Sequence, residues 1–217
     1  RPELDGKLGL VLTFFCAGTP STQGTLDLLK SLDVAPNEID ALRYRGEGWP
    51  GRFKVLYNDH TSEKSYSYSD SWGKLTSYRP PRCHLCPDGL GRVADISCGD
   101  AWEKFDSGGD IGRSIVVVRT RRGQEILHRA MAAKYVELRP AGATEVLLAQ
   151  PSLLERRREL FGRLLARRLL LVPNPRFVGF SLFRSWMKIP FFRKIRTVLG
   201  TMRRLVQRGQ WRRQPVF

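Results

Sequence analysis

The sequence RCHLCPDGLGRVADISCGDAW at residues 82–102 contains three of the four cysteines, Cys83, Cys86 and Cys98. A C-x-x-C pair brings two thiolates together at one tight turn, which suits zinc, an iron–sulfur cluster or a redox disulfide. Pro87 directly follows the second cysteine, and this favours a metal or cluster turn over the helix that carries the second cysteine of thioredoxin-like dithiols. After two glycines, the apolar run at residues 93–96 predicts a buried strand that ends in a small-residue turn at Gly99.

Length and composition bound the class of protein. The chain has 217 residues, 41% of them apolar, which is enough for one sizeable domain and an extension. Because no window of eighteen apolar residues occurs, we expect no membrane-spanning helix. The first ten residues lack an apolar signal core, so we expect no secretory leader, and the absence of an initiator Met suggests a fragment. Four cysteines with a local C-x-x-C indicate a reducing compartment, and we expect a cytoplasmic location.

The positive charge is concentrated in one part of the chain. The formal net charge is +16, and residues 155–217 contain 17 Lys and Arg against 2 acidic residues. We therefore divide the chain into a domain at residues 1–150 and a basic, helix-rich extension at residues 151–217. Interleaved Phe and Trp suit an anionic membrane surface, RNA or an acidic partner, and we expect peripheral membrane attachment. A solvated basic extension is the alternative, and nucleic acid is not favoured because the first domain is nearly neutral.

The remaining pattern alternates strands and helices. Residues 8–15, LGLVLTFF, predict a strand buried on both faces that ends at Cys16, and residues 114–119 predict a second apolar strand. Residues 52–57 and 64–68 predict half-exposed antiparallel strands joined by an Asn58-Asp59 turn. Amphipathic helices are expected at residues 120–134 and 152–171. The predicted fold is therefore α/β or α+β, with a mixed sheet, flanking helices, a cysteine loop and a basic helical extension.

Two further sites carry candidate ligand-binding residues. The loop at residues 46–51, GEGWPG, lets a large ring approach closely, so Arg45 and Trp49 are candidates to contact a phosphate or an isoalloxazine ring. The alternative is a rigid turn whose tryptophan covers the core. Asp100 is a candidate to bond a flavin or to order the cysteine loop, and an N-terminal capping role is equally compatible with the sequence.

Three motifs together resemble a known family. FCAGTPS at residues 15–21, YRGEGWPG at residues 44–51 and the stretch at residues 82–102 resemble the C-terminal half of the coenzyme F420 hydrogenase/dehydrogenase beta-subunit family, over roughly residues 8–190. The resemblance implies FAD and one or more [4Fe-4S] clusters, with Cys16, Cys83 and Cys86 as cluster ligands. It leaves the fourth ligand open between Cys98 and a cysteine in a preceding half of the polypeptide.

The resemblance predicts an iron–sulfur flavoprotein oxidoreductase. Electrons would pass between the cluster and FAD to a two-electron acceptor such as coenzyme F420, with an electron-donor or electron-acceptor protein or coenzyme as partner. Two alternatives remain open at this point. One is a zinc-knuckle module formed by Cys16, Cys83, Cys86 and Cys98, with a basic tail that binds nucleic acid or a membrane. The other is a non-catalytic interaction protein that retains the fold.

Overall fold

A computed structural model describes residues 6–58, 63–102 and 112–209. Within these ranges the chain is a mixed α/β protein with two three-stranded sheets and eight α-helices. It divides into two compact units, residues 1–83 with 90–150, and residues 84–89 with 151–217. In chain order the elements are β1 (Leu12–Phe14), α1 (Thr22–Lys30), β2 (Ile39–Arg43), β3 (Arg52–Tyr57), β4 (Glu63–Ser67), α2 (Tyr68–Thr76), α3 (Pro81–His84), β5 (Ile96–Asp100), β6 (Ser114–Val118), α4 (Arg121–Ala132), α5 (Ala143–Ala149), α6 (Pro151–Leu169), α7 (Leu182–Met187) and α8 (Phe191–Gln207).

The antiparallel sheet β2-β3-β4 contains the larger hydrophobic core of the first unit. Phe53 and Val55 alternate with polar residues along β3 and are fully buried, as β-strand periodicity requires of a strand with one covered face. They pack with Leu75 of α2 and with Leu28 and Leu29 of α1. The predicted strands at residues 52–57 and 64–68 are thus confirmed as β3 and β4. Asp59 of the predicted turn lies outside the described residues.

The second sheet has the order β1-β5-β6, with β1 parallel and β6 antiparallel to β5. The register places Phe14 beside Cys98, and Phe15 N donates to Cys98 O at 2.7 Å. One face of this sheet packs through Phe15 and Val117 against a small core that includes Ile115. The sheet therefore fixes the end of β1, and with it Cys16, next to the end of β5.

Two predictions for this sheet were wrong. The strand predicted at residues 8–15 is only three residues long, and it is not buried on both faces, since Leu12 and Phe14 are 64% and 71% exposed. An apolar run shows that a strand is hydrophobic but not that other residues cover both of its faces. β1 is an edge strand, and the residues that the structure describes leave one of its faces exposed. The turn predicted at Gly99 is instead part of β5. Gly99 is required there because a Cβ would overlap the ring of Phe15.

The helices near the middle of the chain follow their sequence signals. The helix expected at residues 120–134 is α4, and the Thr120 hydroxyl accepts a hydrogen bond from Gly123 N as its N-terminal cap. The helix expected at residues 152–171 is α6, which begins at Pro151. Proline is favoured in the first helical turn because it lacks the N–H that would be unsatisfied there.

The second unit is built from α6, α7 and α8, with α6 packed against both of the others. Gly162 of α6 lies against the buried ring of Trp186, so closely that a Cβ would overlap it. Phe161 contacts the same ring and that of Phe183. Of the helices in the described part of the chain, none is both long and apolar enough to cross a membrane.

Candidate functional site

Arg45 is the centre of an aromatic cluster that we call the Arg45 cluster. The guanidinium carbon lies 4.8 Å from the ring centroid of Trp49, 5.3 Å from that of Tyr68 and 5.6 Å from that of Trp102. The rings also contact one another, with Trp102 at 4.8 Å from Trp49 and 5.2 Å from Tyr68. A cation held against aromatic faces is attracted by their quadrupoles. Residues from three distant parts of the sequence therefore form one site.

Hydrogen bonds fix the orientation of the Arg45 guanidinium. Nη1 donates to Asp100 Oδ2 at 2.7 Å, and Nε donates to Pro50 O at 3.2 Å. The loop at residues 46–51 is tight, since a Cβ on Gly51 would lie 2.5 Å from Gly46 N, and both Gly46 and Gly51 have positive φ. Only glycine adopts such backbone conformations without strain. The glycines of GEGWPG thus bring the loop back onto Arg45 and hold Trp49 beside it.

Asp100 is the last residue of β5, and both its side chain and its main chain accept hydrogen bonds. Asp100 O accepts a hydrogen bond from Gln150 Nε2 at 2.8 Å. The side chains of Asp100 and Arg45 are each 31% exposed, so their ion pair is partly shielded from water. The structure gives Asp100 a role that the sequence did not indicate, which is to orient Arg45. Its roles towards a flavin, the cysteine loop or the segment that follows stay predictions.

Tyr68 and Trp72 add a second wall to the Arg45 cluster. Tyr68 is the first residue of α2, and Trp72 lies one turn later on the same side, with 6.0 Å between ring centroids. Ser67 caps this helix by accepting from Asp70 N. Burial raises the pKa of Tyr68, whereas the Arg45 cation acts in the opposite direction. The phenol therefore stays protonated at neutral pH and is available as a hydrogen-bond donor.

Two buried donors beside Tyr68 have no acceptor among the described residues, namely Trp72 Nε1 and Arg79 Nε. Arg79 is close enough to Tyr68 to lower its pKa. Its side chain also packs on Gly18, where a Cβ would lie 2.7 Å from Arg79 Cδ. A buried donor without an acceptor costs about 1–3 kcal/mol. A ligand with acceptor atoms near Tyr68 would satisfy these donors.

The A-D-I-S segment at residues 94–97 anchors β5. The buried Asp95 carboxylate accepts from Val11 N at 2.8 Å and from Thr120 Oγ1 at 2.5 Å. These two hydrogen bonds lower the pKa of Asp95. Ser97 is fully buried and accepts from Arg119 Nη1. Asp95 and Ser97 thus tie β5 to the start of β1 and to the start of α4, which positions Cys98 and Asp100.

The four cysteines are half-buried thiols on separate segments. Cys16 follows β1, and Cys98 lies on β5, where burial raises the pKa of its thiol. Cys83 lies in the one-turn helix α3, and its N–H bonds to Pro80 O. Cys86 belongs to the second unit, where its Sγ donates to Asp88 O at 3.3 Å. In the described ranges, no three His, Cys, Asp or Glu side chains converge on a point where one metal ion could bind.

Sequence reasoning missed four residues of the Arg45 cluster and its surroundings: Tyr68, Trp72, Arg79 and Trp102. Residues 70–75, which include Trp72, predict a short helix, and Tyr68 was expected as the end of the strand at residues 64–68. Tyr68 and Trp72 are four residues apart, which is the spacing of neighbours on one helical face. The spacing would have paired them once the helix was extended to residue 68. Nothing in the sequence indicated that this helix faces Arg45.

Residues 1–144 match the family model for the C terminus of the beta subunit of coenzyme F420 hydrogenase/dehydrogenase. The chain belongs to this family. The matched range contains the four cysteines and the seven residues in and around the Arg45 cluster, which are Arg45, Trp49, Tyr68, Trp72, Arg79, Asp100 and Trp102. The description of the family names hydrogenases and dehydrogenases, which relates the chain to redox enzymes. The resemblance drawn from the three motifs is confirmed.

A solved structure is similar to the chain. It is a chain of the F420-reducing [NiFe] hydrogenase complex from Methanosarcina barkeri, with 22% sequence identity and a TM-score of 0.49. The match covers 74% of this chain and 52% of the hydrogenase chain, so the present chain spans about half the length of that relative. A comparison with curated proteins found no match.

Proposed function

We propose that the chain is the cofactor-binding part of an iron–sulfur flavoprotein oxidoreductase that passes electrons between a [4Fe-4S] cluster and FAD. The observation that carries this proposal is the Arg45 cluster, where a cation lies against three aromatic rings, with two buried donors without acceptors, Trp72 Nε1 and Arg79 Nε, near Tyr68. Membership of a family of hydrogenase and dehydrogenase beta subunits supports it. When bound, FAD exchanges electron pairs as hydride and single electrons with a cluster.

The residues of the Arg45 cluster fit a flavin. The rings of Trp49 and Trp102 would pack against the planar ring of a flavin and exclude water from it. The Arg45 guanidinium has further N–H donors beyond the two that bond Asp100 and Pro50, and these suit the acceptor atoms of a flavin or its phosphates. Asp100 acts by positioning Arg45, so its removal would leave the charge in place but misdirect it.

Arg79 and Trp72 would supply the remaining contacts to the bound flavin. Both carry a buried N–H donor that the described residues leave unsatisfied, and both lie near Tyr68. Acceptor atoms of FAD would satisfy these donors and remove their desolvation cost. The Arg79 cation also lies against Gly18, two residues after Cys16, so it would favour negative charge at the cysteine turn as well as at the flavin.

We propose Cys16, Cys83, Cys86 and Cys98 as the cluster ligands, with an upstream cysteine as the alternative to Cys98. Four thiols are the donor set that a [4Fe-4S] cluster requires. The sulfurs around a four-iron cluster stand farther apart than those around a single ion, so the lack of a one-ion site in the described ranges is compatible with a cluster. A zinc knuckle requires four ligands within about 2.3 Å of one ion, and no observation favours it.

The acceptor is proposed to be a two-electron carrier such as coenzyme F420, reached through a partner protein or as a diffusing coenzyme. A hydride acceptor must approach the flavin ring edge, and the partial exposure of the Arg45 and Asp100 side chains, 31% each, is compatible with such an approach. Thiolate ligands persist in a reducing compartment, so we propose a cytoplasmic location.

Substitution of the cysteines and of the Arg45 cluster tests the two cofactors separately. After anaerobic reconstitution, Cys83→Ser and Cys86→Ser should lose iron and sulfide, because an alcohol oxygen is a poor ligand for the iron of a cluster. Arg45→Ala and Asp100→Asn should retain iron but bind FAD at least about tenfold more weakly, the ratio that corresponds to one charge-assisted hydrogen bond.

The control is Arg121→Gln, which removes an exposed positive charge from α4 and should leave both cofactors unchanged. Cys98→Ser distinguishes the two candidates for the fourth ligand, since full iron loss identifies Cys98 and retention identifies an upstream cysteine. Iron retention in both Cys83→Ser and Cys86→Ser, or unchanged FAD affinity in both Arg45 cluster variants, would contradict the corresponding assignment.

A further inference from the structure

Helix α8 exposes its apolar face and buries a more polar one. The residues that pack inward are Thr197, Thr201 and Leu205, spaced four apart on one side. The opposite side has a continuous stripe of apolar side chains, which we call the α8 apolar face: Phe191, Phe192, Ile195, Leu199, Met202 and Val206. Phe192 is 74% exposed, Leu199 59% and Val206 53%. At 100° per residue this stripe spans about 100°, the width of the buried side of an ordinary surface helix.

Positive charge flanks the α8 apolar face. Arg196 and Arg203 are exposed and lie along its border, seven residues and about two helical turns apart. The two acidic residues of residues 155–217 are Glu155 and Glu159, and both bond Arg193 within the unit, with Glu159 also bonding Arg163. The internal ion pairs therefore leave the border of the apolar face strongly cationic.

We propose that the α8 apolar face docks on the surface of a membrane that contains anionic lipids, with the helix lying in the plane of the interface. An apolar arc bordered by arginines is the pattern of interfacial helices, whose apolar side chains enter the acyl boundary while cations stay at the headgroups. The helix is 17 residues long, about 25 Å, and its inward face is occupied by α6. It therefore lies on the bilayer and does not span it.

The composition of the face favours lipid over RNA or an acidic protein. Ile195, Leu199, Met202 and Val206 lack the flat ring that stacks on an unpaired base, so an RNA surface would leave them uncovered. An acidic protein partner would satisfy the arginines but would need an apolar groove as well. An anionic bilayer supplies negative charge at the headgroup level and apolar volume directly beneath it.

Vesicle flotation of the full chain tests this docking surface. With vesicles of phosphatidylcholine and phosphatidylglycerol at 3:1, the chain should float at about 0.1 M salt, and it should stay behind with pure phosphatidylcholine. The double variant Ile195→Gln/Leu199→Gln should bind at least about tenfold more weakly, because even one fully inserted side chain contributes roughly that factor. Arg196→Gln/Arg203→Gln should bind about thirtyfold more weakly and show a flatter salt dependence, because each arginine contributes about 1 kcal/mol at an anionic surface.

Matched controls lie in the first unit. Met131→Gln/Val136→Gln removes the same number of exposed apolar side chains, and Arg121→Gln/Arg129→Gln the same number of charges, and both should bind vesicles as the parent does. Circular dichroism checks that the variants remain folded, since the inward face of α8 is untouched. If the apolar double variant is unstable, Leu199→Gln alone replaces it and should still bind more weakly.

Three results would overturn the proposal. One is absence of flotation with the anionic vesicles. Another is that a folded variant of the α8 apolar face binds vesicles as tightly as the parent, which would show that charge alone attracts the chain to the membrane. In the third, the chain does not bind vesicles but binds an RNA homopolymer or an acidic protein tightly, and the apolar variant retains this binding.

Discussion

The ion pair between Arg45 and Asp100 should contribute measurably to folding even without a cofactor. Nη1 and Oδ2 are 2.7 Å apart, and both side chains are 31% exposed. Exposed pairs contribute up to about 1 kcal/mol, and hydrogen bonds to charged groups about 1.5–3 kcal/mol. Because this pair lies between the two regimes, we expect a coupling free energy of about 1–1.5 kcal/mol between the residues.

Arg45→Ala should cost more than the ion pair alone. It also removes contacts with three rings at 4.8–5.6 Å, at about 0.5 kcal/mol each for partly exposed sites. The total loss in the free energy of unfolding is then about 2.5–3 kcal/mol. Asp100→Ala should cost less, because the rings and the guanidinium remain in place.

A double-mutant cycle measures this coupling directly. The free energy of unfolding is obtained from urea denaturation of the parent chain, Arg45→Ala, Asp100→Ala and the double variant. The pair Arg121 and Glu125 on α4 is the control cycle, since its side chains are 92% and 59% exposed and its coupling should be at most about 0.5 kcal/mol. A coupling between Arg45 and Asp100 no larger than that of the control would refute the reasoning.

Two further predictions concern stability. Because the pKa of Asp95 is depressed in the folded chain, the carboxylate's contribution to the free energy of unfolding is fully present above about pH 3.8. This contribution is lost as the pH falls through the lower pKa of the folded state. Asp95→Asn should therefore be less stable at neutral pH, and its thermal melts should lack this acid-dependent loss. Gly162→Ala should destabilise the second unit by about 1–3 kcal/mol by displacing Trp186. The control Gly73→Ala, in an open position on α2, should stabilise by about 0.5–1 kcal/mol. Equal urea midpoints for the two glycine variants would contradict the packing argument.

Local patterns were sufficient where neighbouring residues alone determine the structure. Alternation along residues 52–57 predicted β3, and the apolar spacing after Thr120 predicted α4. The same reasoning failed at residues 8–15, because hydrophobicity does not reveal whether a partner covers a strand. It also failed at Gly99, where the requirement for glycine comes from the distant Phe15 ring and not from a turn.

The candidate site could be predicted in part. Motif spacing singled out Arg45, Trp49 and Asp100, and the structure places them in contact, while their role towards a flavin stays a prediction. Tyr68 and Arg79 could not be found from the sequence, because their importance depends on how α2 and the segment after it pack against the loop and β5. Long-range packing of this kind leaves no periodic signal in one sequence.

Cofactor analysis of the full chain, purified and reconstituted without oxygen, tests the proposed function most directly. We expect about four iron atoms, four acid-labile sulfides and one FAD per chain, with a broad absorbance that bleaches on reduction. A colourless chain with stoichiometric zinc and neither iron nor flavin would contradict the assignment of the cysteines and the Arg45 cluster to redox cofactors.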